Sequence, residues 1–205
     1  MSRPKTEVKE ACSLLMESLR TINEAHLANF SRKTVPEIEL VKHVRKDLTD
    51  KLGSKNVFLT VKGLHKKQDR IVFLMQPDVD LSFRYKGRIH GVEFKLMRRQ
   101  LRFYSGLEEA LSYSTYGVDY SWIVHFFRRD FRNAKDYKRW MEFVIKKSEC
   151  PSIGYIALDT KSRKVIIFPK EPFGSGDNKR LWKIVLKVKN RIFTTHSEVY
   201  SGRER

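Results

Sequence analysis

The chain has 205 residues with 42 Lys+Arg against 24 Asp+Glu, a formal net charge of +18, and 40% apolar and 12% aromatic residues, which suits one folded domain of about 100–200 residues plus an appendage and argues against disorder. The longest nearly apolar stretch, residues 121–127, falls far below the roughly 20 residues that cross a bilayer, and the opening MSRPKTEVKE lacks an apolar signal core, so a soluble cytoplasmic protein without membrane partners is expected. Two cysteines, Cys12 and Cys150, exclude a disulfide framework and four-thiolate zinc or iron–sulfur sites.

Val8, Ala11, Cys12, Leu15, Leu19 and Ile22 fall at helical spacing and predict an amphipathic helix over about residues 7–30. Thr34 and Glu37 have capping-box spacing with Pro36 in the first turn, opening a second helix that runs to about Leu52 and stops at Gly53. The period then switches to two. Val57, Leu59 and Val61 mark a first strand ending at Gly63, and residues 79–85 and 89–96 form two more, joined as a hairpin through Lys86-Gly87. Ser105 and Glu108 again have capping-box spacing and open a helix through Tyr116, closed by Gly117. A buried-type strand over 120–127, a basic amphipathic helix around Tyr137, Trp140, Met141 and Val144, and a strand pair at 153–158 and 165–168 follow. Residues 179–193 fit both alternation and helical spacing, with helix preferred, after a linker-like run from Gly174 to Asn178. The expected architecture is α/β, a central mixed sheet flanked by helices. It divides into a helical extension over 1–33, a main domain over 34–173 and a basic extension over 174–205.

The chemistry concentrates in the central hairpin. With its turn at Lys86-Gly87, residues whose numbers sum to about 173 stand opposite one another, so Asp80 faces Glu93. Alternation then gathers Asp78, Asp80, Glu93 and Lys95 on one face, and places Val79, Leu81, Phe83, Val92, Phe94 and Leu96 on the other, against a helix. Facing carboxylates repel unless a cation lies between them. That favours a hard divalent ion with oxygen ligands, Mg²⁺ or Mn²⁺, over a simple cross-strand Lys–carboxylate pair. His65, His90 and His125 show no zinc-type spacing and read as surface or satisfied histidines. Glu37 shares the inward stripe of Val41, Val44 and Leu48, and either N-caps its helix or joins the acidic cluster.

The positive charge indicates a polyanionic partner. Arg98, Arg99 and Arg102 follow Lys95 closely and suit phosphates next to the reacting one; Arg128, Arg129 and Arg132 form a second cluster, and a third lies over 179–191. Tyr104 and Tyr116 could stack on bases, though packing is the commoner fate of such residues.

Pro77-Asp78-Val79-Asp80, followed after the turn by Glu93-Phe94-Lys95, resembles the PD-(D/E)XK nuclease superfamily. The resemblance implies a restriction-endonuclease-like αβββαβ core from about Val35 to Phe127, with an extra N-terminal helix and a C-terminal β-hairpin plus helix. It implies a Mg²⁺ or Mn²⁺ site at Asp80 or Asp78, Glu93 and the Phe94 carbonyl, with Lys95 assisting and Glu37 orienting a water. Spacing from the turn is similar to that of archaeal Holliday junction resolvases and favours Asp80, whereas many members use the Asp directly after the Pro, here Asp78. Glu109-Ala110-Leu111-Ser112-Tyr113 is similar to the Gln-x-x-x-Tyr of RecB-like nucleases, with Glu in place of Gln. The resemblance therefore implies a metal-dependent DNA nuclease, with RNA as an open alternative substrate, and by analogy with junction resolvases a homodimer to which the N-terminal helix supplies the contact. The competing expectation is a non-catalytic nucleic-acid-binding protein on the same fold.

Overall fold

A computed structural model describes residues 5–22, 37–59, 79–97, 102–113, 117–127, 131–147, 151–159 and 163–173. In chain order the elements are α1 (Thr6–Arg20), α2 (Glu37–Leu52), a single 3₁₀ turn (Ser54–Asn56), β1 (Val57–Leu59), β2 (Leu81–Tyr85), β3 (Arg88–Met97), α3 (Leu107–Ser112), β4 (Tyr120–Phe127), α4 (Ala134–Lys147), β5 (Ile153–Leu158) and β6 (Arg163–Ile167). The strands form one mixed sheet in sequence order. β1, β2 and β3 pair antiparallel, β3, β4 and β5 parallel, and β6 antiparallel to β5. The two parallel pairs are those whose connections contain α3 and α4, since parallel neighbours need a crossover.

One face of the sheet is covered by α1 and α2. Val8, Ala11, Leu15 and Leu19 of α1 and Leu40, Val41, Val44 and Leu48 of α2 pack on Leu81, Phe83, Val92, Phe94, Leu96, Trp122 and Val124. The other face carries α3 and α4, with Leu107, Ala110, Leu111, Met141, Val144 and Ile145 against Ile123, Phe127, Tyr155 and Ala157. α1 is thus part of the main core and not an appendage. Its apolar stripe, expected to meet a second copy, is covered within the chain. No described helix is long and apolar enough to cross a membrane.

The hairpin turn has Lys86 at φ 47° and Gly87 at φ 77°, the two positive angles of a turn whose twist matches its strands. Register follows from it: Leu81 pairs with Val92, Phe83 with His90 and Tyr85 with Arg88, the sum of 173 that the sequence predicts. Two local expectations fail. Val79 packs with Tyr113 and Val118 instead of beneath α1 and α2, because Asp80 sits in a bend just before β2 and alternation holds only within a strand. The α3 N-cap is Gly106 in the left-handed region, with no side-chain cap bond, so the box expected from Ser105 and Glu108 does not form. The cap expected at Thr34, the strand end at Gly63, the helix over 179–193 and the extension from residue 174 lie outside the described residues.

Leu15 is fully buried between α1 and the rest of the core. Leu15→Ala should therefore lower the unfolding free energy by about 2–5 kcal/mol, with one cooperative denaturant transition. A separate early transition confined to α1 would show that the helix is an appendage after all.

Candidate functional site

The site begins where β3 outruns its neighbour. β2 begins only at Leu81, opposite Val92, whereas β3 continues to Met97. Beyond Val92, on the side β2 has vacated, the N–H groups of β3 need other acceptors. Two carboxylates supply them: Phe94 N–H donates to Asp80 Oδ2 at 2.8 Å and Leu96 N–H to Glu37 Oε2 at 2.8 Å. Asp80 comes from the bend before β2, and Glu37 from the first turn of α2, where a carboxylate also suits the helix dipole. Strand geometry holds the two bonded N–H groups roughly 6.6–6.8 Å apart.

Glu93 and Lys95 alternate with those residues and project from the α3 side of the sheet. Glu93 is 2% exposed; Lys95 Nζ bonds one of its oxygens, and the Tyr113 hydroxyl donates to the other. Glu109, one helical turn before Tyr113, places Oε1 3.4 Å from Lys95 Nζ. The Glu-x-x-x-Tyr run thus delivers both ends to the Glu93–Lys95 pair.

Two glycines make this approach feasible. A Cβ on Gly91, two residues before Glu93 on the same face, would lie 3.0 Å from the Tyr113 ring and 3.1 Å from Val118, so Gly91 is the notch that seats Tyr113. A Cβ on Gly106 would lie 3.0 Å from Glu93 Cγ and 3.2 Å from Lys95 Cγ, and its φ of +87° is one that L side chains rarely adopt. Sequence reasoning passed over both. For Gly91 the available signal was a glycine inside a strand of strong alternation, which marks close approach. A cleft of about 440 Å³ opens above the pair, bordered by Glu37, Lys95, Tyr104, Ser105, Gly106, Glu108 and Glu109.

Burial, reinforced by the nearby Asp80 charge, pushes the Glu93 carboxyl up to about 8 and outweighs Lys95 and Tyr113, which act the other way. Burial likewise raises Asp80 to about 6, helped by Glu37 and Glu109 and opposed by the Phe94 N–H bond and Lys95. Burial works against the charged form of Lys95, but Glu93 and Glu109 hold the ammonium above the ordinary lysine value. Lys95 therefore carries its positive charge at neutral pH.

Of the residues expected at the site, Glu37, Asp80, Glu93, Phe94, Lys95, Glu109 and Tyr113 lie in this linked cluster. Asp78 lies outside the described residues, as do Arg98, Arg99, Arg128, Arg129 and Tyr116. Arg102 is exposed and donates to the Tyr104 hydroxyl at 2.6 Å beside the cleft; Arg132 is exposed before α4. His90 and His125 are buried and hydrogen-bonded, the satisfied alternative. Among the described residues, no group of three or more His, Cys, Asp or Glu side chains is arranged to hold a metal ion. Glu37 is committed to a strand N–H, and Glu93 lies between two donors. Comparison with protein-family models, with curated proteins and with solved structures finds no match to this chain.

Because Asp80 and Glu93 bind protons more tightly folded than unfolded, the native state carries more protons between about pH 4 and 8. Their contribution to stability is full below about pH 4 and is lost as pH rises through about 6 for Asp80 and about 8 for Glu93. In chelator, urea unfolding should show stability falling from about pH 5 to about 8, and Glu93→Gln should flatten most of that slope. An unchanged slope in the variant would mean that Glu93 is not the group responsible.

Proposed function

We propose that the protein is a divalent-metal-dependent nuclease of the PD-(D/E)XK type, hydrolysing DNA phosphodiesters with structure-selective or weakly sequence-selective endonuclease action. Within the sheet, α2, β1, β2, β3, α3 and β4 would constitute its restriction-endonuclease-like αβββαβ core. The observation that carries the reading is the buried Glu93 carboxylate held close enough to Asp80 to raise its pKa, with Lys95 beside both.

The donors are all oxygens, the kind a hard cation takes. Asp80, Glu93 and the Phe94 carbonyl would hold Mg²⁺ or Mn²⁺, which accept one or two carboxylates with the remaining positions left to water and substrate phosphate. When bound, such an ion supplies Lewis-acid stabilisation of charge on the phosphate and lowers the pKa of water. With a cation bound Glu93 would act in its deprotonated form, its proton released to solvent, and Tyr113 would hold the carboxylate in orientation. Lys95, tethered by Glu109, turns its fixed charge on the phosphate as negative charge develops there. Glu37 keeps the β3 edge in place beneath the cleft. Arg102, beside Tyr104 at the cleft, contacts the phosphate adjoining the one attacked.

One observation favours the competing reading, a binding protein with an idle site: Lys95 and Tyr113 already occupy both Glu93 oxygens without any metal. Titration with Mn²⁺ and cleavage of supercoiled plasmid, single strands and a four-way junction separate the two. Wild type should cut only with Mg²⁺ or Mn²⁺. Asp80→Asn and Glu93→Gln should lose at least roughly 10²–10³ in rate, as for loss of a group acting on transition-state charge, while still binding DNA. Cutting that persists in excess chelator, or DNA binding with no metal uptake, would overturn the nuclease reading.

A further inference from the structure

A second buried polar chain adjoins the cluster and is not used by the reaction proposed above. His125 of β4 stands in register with Lys95 of β3 and is fully buried. Its Nε2 is 2.8 Å from the Ser105 carbonyl oxygen. A carbonyl only accepts, so Nε2 carries the proton. Nδ1 is then an acceptor and takes the Tyr155 hydroxyl of β5 at 3.1 Å. Burial lowers His125 to about 4, despite the Ser105 bond acting the other way, so the ring stays neutral with this tautomer. The imidazole also meets Phe127 and Tyr155 edge-on, which leaves it little freedom to rotate.

The carbonyl so held belongs to the residue immediately before Gly106, whose backbone lies directly on Glu93 Cγ and Lys95 Cγ. A rigid line of hydrogen bonds thus runs from the sheet interior to the wall of the cleft. A histidine serving the core alone would need a partner, but not one in the turn that confines the two reactive side chains. We propose that His125 is a positioning residue, which through its Nε2–H bond to Ser105 fixes the Ser105–Gly106 turn against Glu93 and Lys95 and so sets where the Lys95 ammonium sits. The effect on cleavage rests on the nuclease reading; the effect on Lys95 does not.

Three variants separate positioning from packing. In His125→Gln the amide nitrogen reaches about as far as Nε2 and can still donate to Ser105, whereas in His125→Asn it reaches only as far as Nδ1 and cannot. Tyr155→Phe keeps the Ser105 bond and removes the hydroxyl that steadies the ring. For each, kcat and KM for Mg²⁺-dependent plasmid cleavage would be measured beside thermal unfolding. The rate of Lys95 acylation by an amine-reactive ester would be followed in metal-free protein by mass spectrometry. The Asn variant should lose roughly 10–100-fold in kcat, the usual cost of removing a partner that orients an active group, with KM little changed and Lys95 acylated faster. Gln should recover most of the kcat and the wild-type acylation rate. Tyr155→Phe should fall between them, and it decides the matter if the Asn variant does not fold. Equal losses in Asn and Gln that track the folded fraction, or wild-type kcat and Lys95 reactivity in Asn, would overturn the proposal. If wild type cuts nothing, the nuclease reading fails, and the acylation rates alone still decide the role of His125.

Discussion

Strand β3 extends five residues past the point where β2 begins, and a strand edge inside a folded protein must have its N–H groups answered. In this protein the answers are carboxylates. Asp80 and Glu37 take the Phe94 and Leu96 donors that a longer β2 would have taken with backbone carbonyls. The acidic character of the site is therefore built into sheet completion. Removing either side chain would leave a buried donor unpaired, at a cost of about 1–3 kcal/mol, so the same residues bear on stability and on chemistry.

Once Asp80 is fixed on that edge, the rest of the cluster follows from charge. Glu93 is nearly inaccessible to water and close to another acid, an arrangement that costs free energy unless positive charge or protons compensate it. Lys95, two residues along on the same face, supplies the charge, and Tyr113 supplies a hydrogen-bond donor. Glu109 then balances Lys95 from α3. Each partner is held by an element that the core has already placed: β3 by its parallel pairing with β4, and α3 by Leu107, Ala110 and Leu111 in the apolar cluster beneath it.

Space matters as much as charge. Gly91 and Gly106 bracket the Glu93–Lys95 pair, one admitting the Tyr113 ring and the other admitting backbone. His125, held in turn by Tyr155, reaches the same turn from β4 on the same face of the sheet.

Period and turn chemistry are local, and for that reason the amino-acid sequence by itself determined the order of the described elements and the hairpin register through Lys86-Gly87. Glu37 was also legible as a candidate, because it lies on the inward stripe of its helix, whereas Glu109 and Tyr113 were legible only through the resemblance of their Glu-x-x-x-Tyr run to the RecB-like pattern. Only the tertiary structure decided that α1 belongs to the core, since an amphipathic stripe does not say what covers it. It alone decided that Val79 turns away from its expected face at the Asp80 bend, and that Ser105 gives its carbonyl to His125 instead of capping α3. Those outcomes depend on contacts between residues distant in the chain, and no spacing within one segment records which partner will reach a given hydrogen bond first.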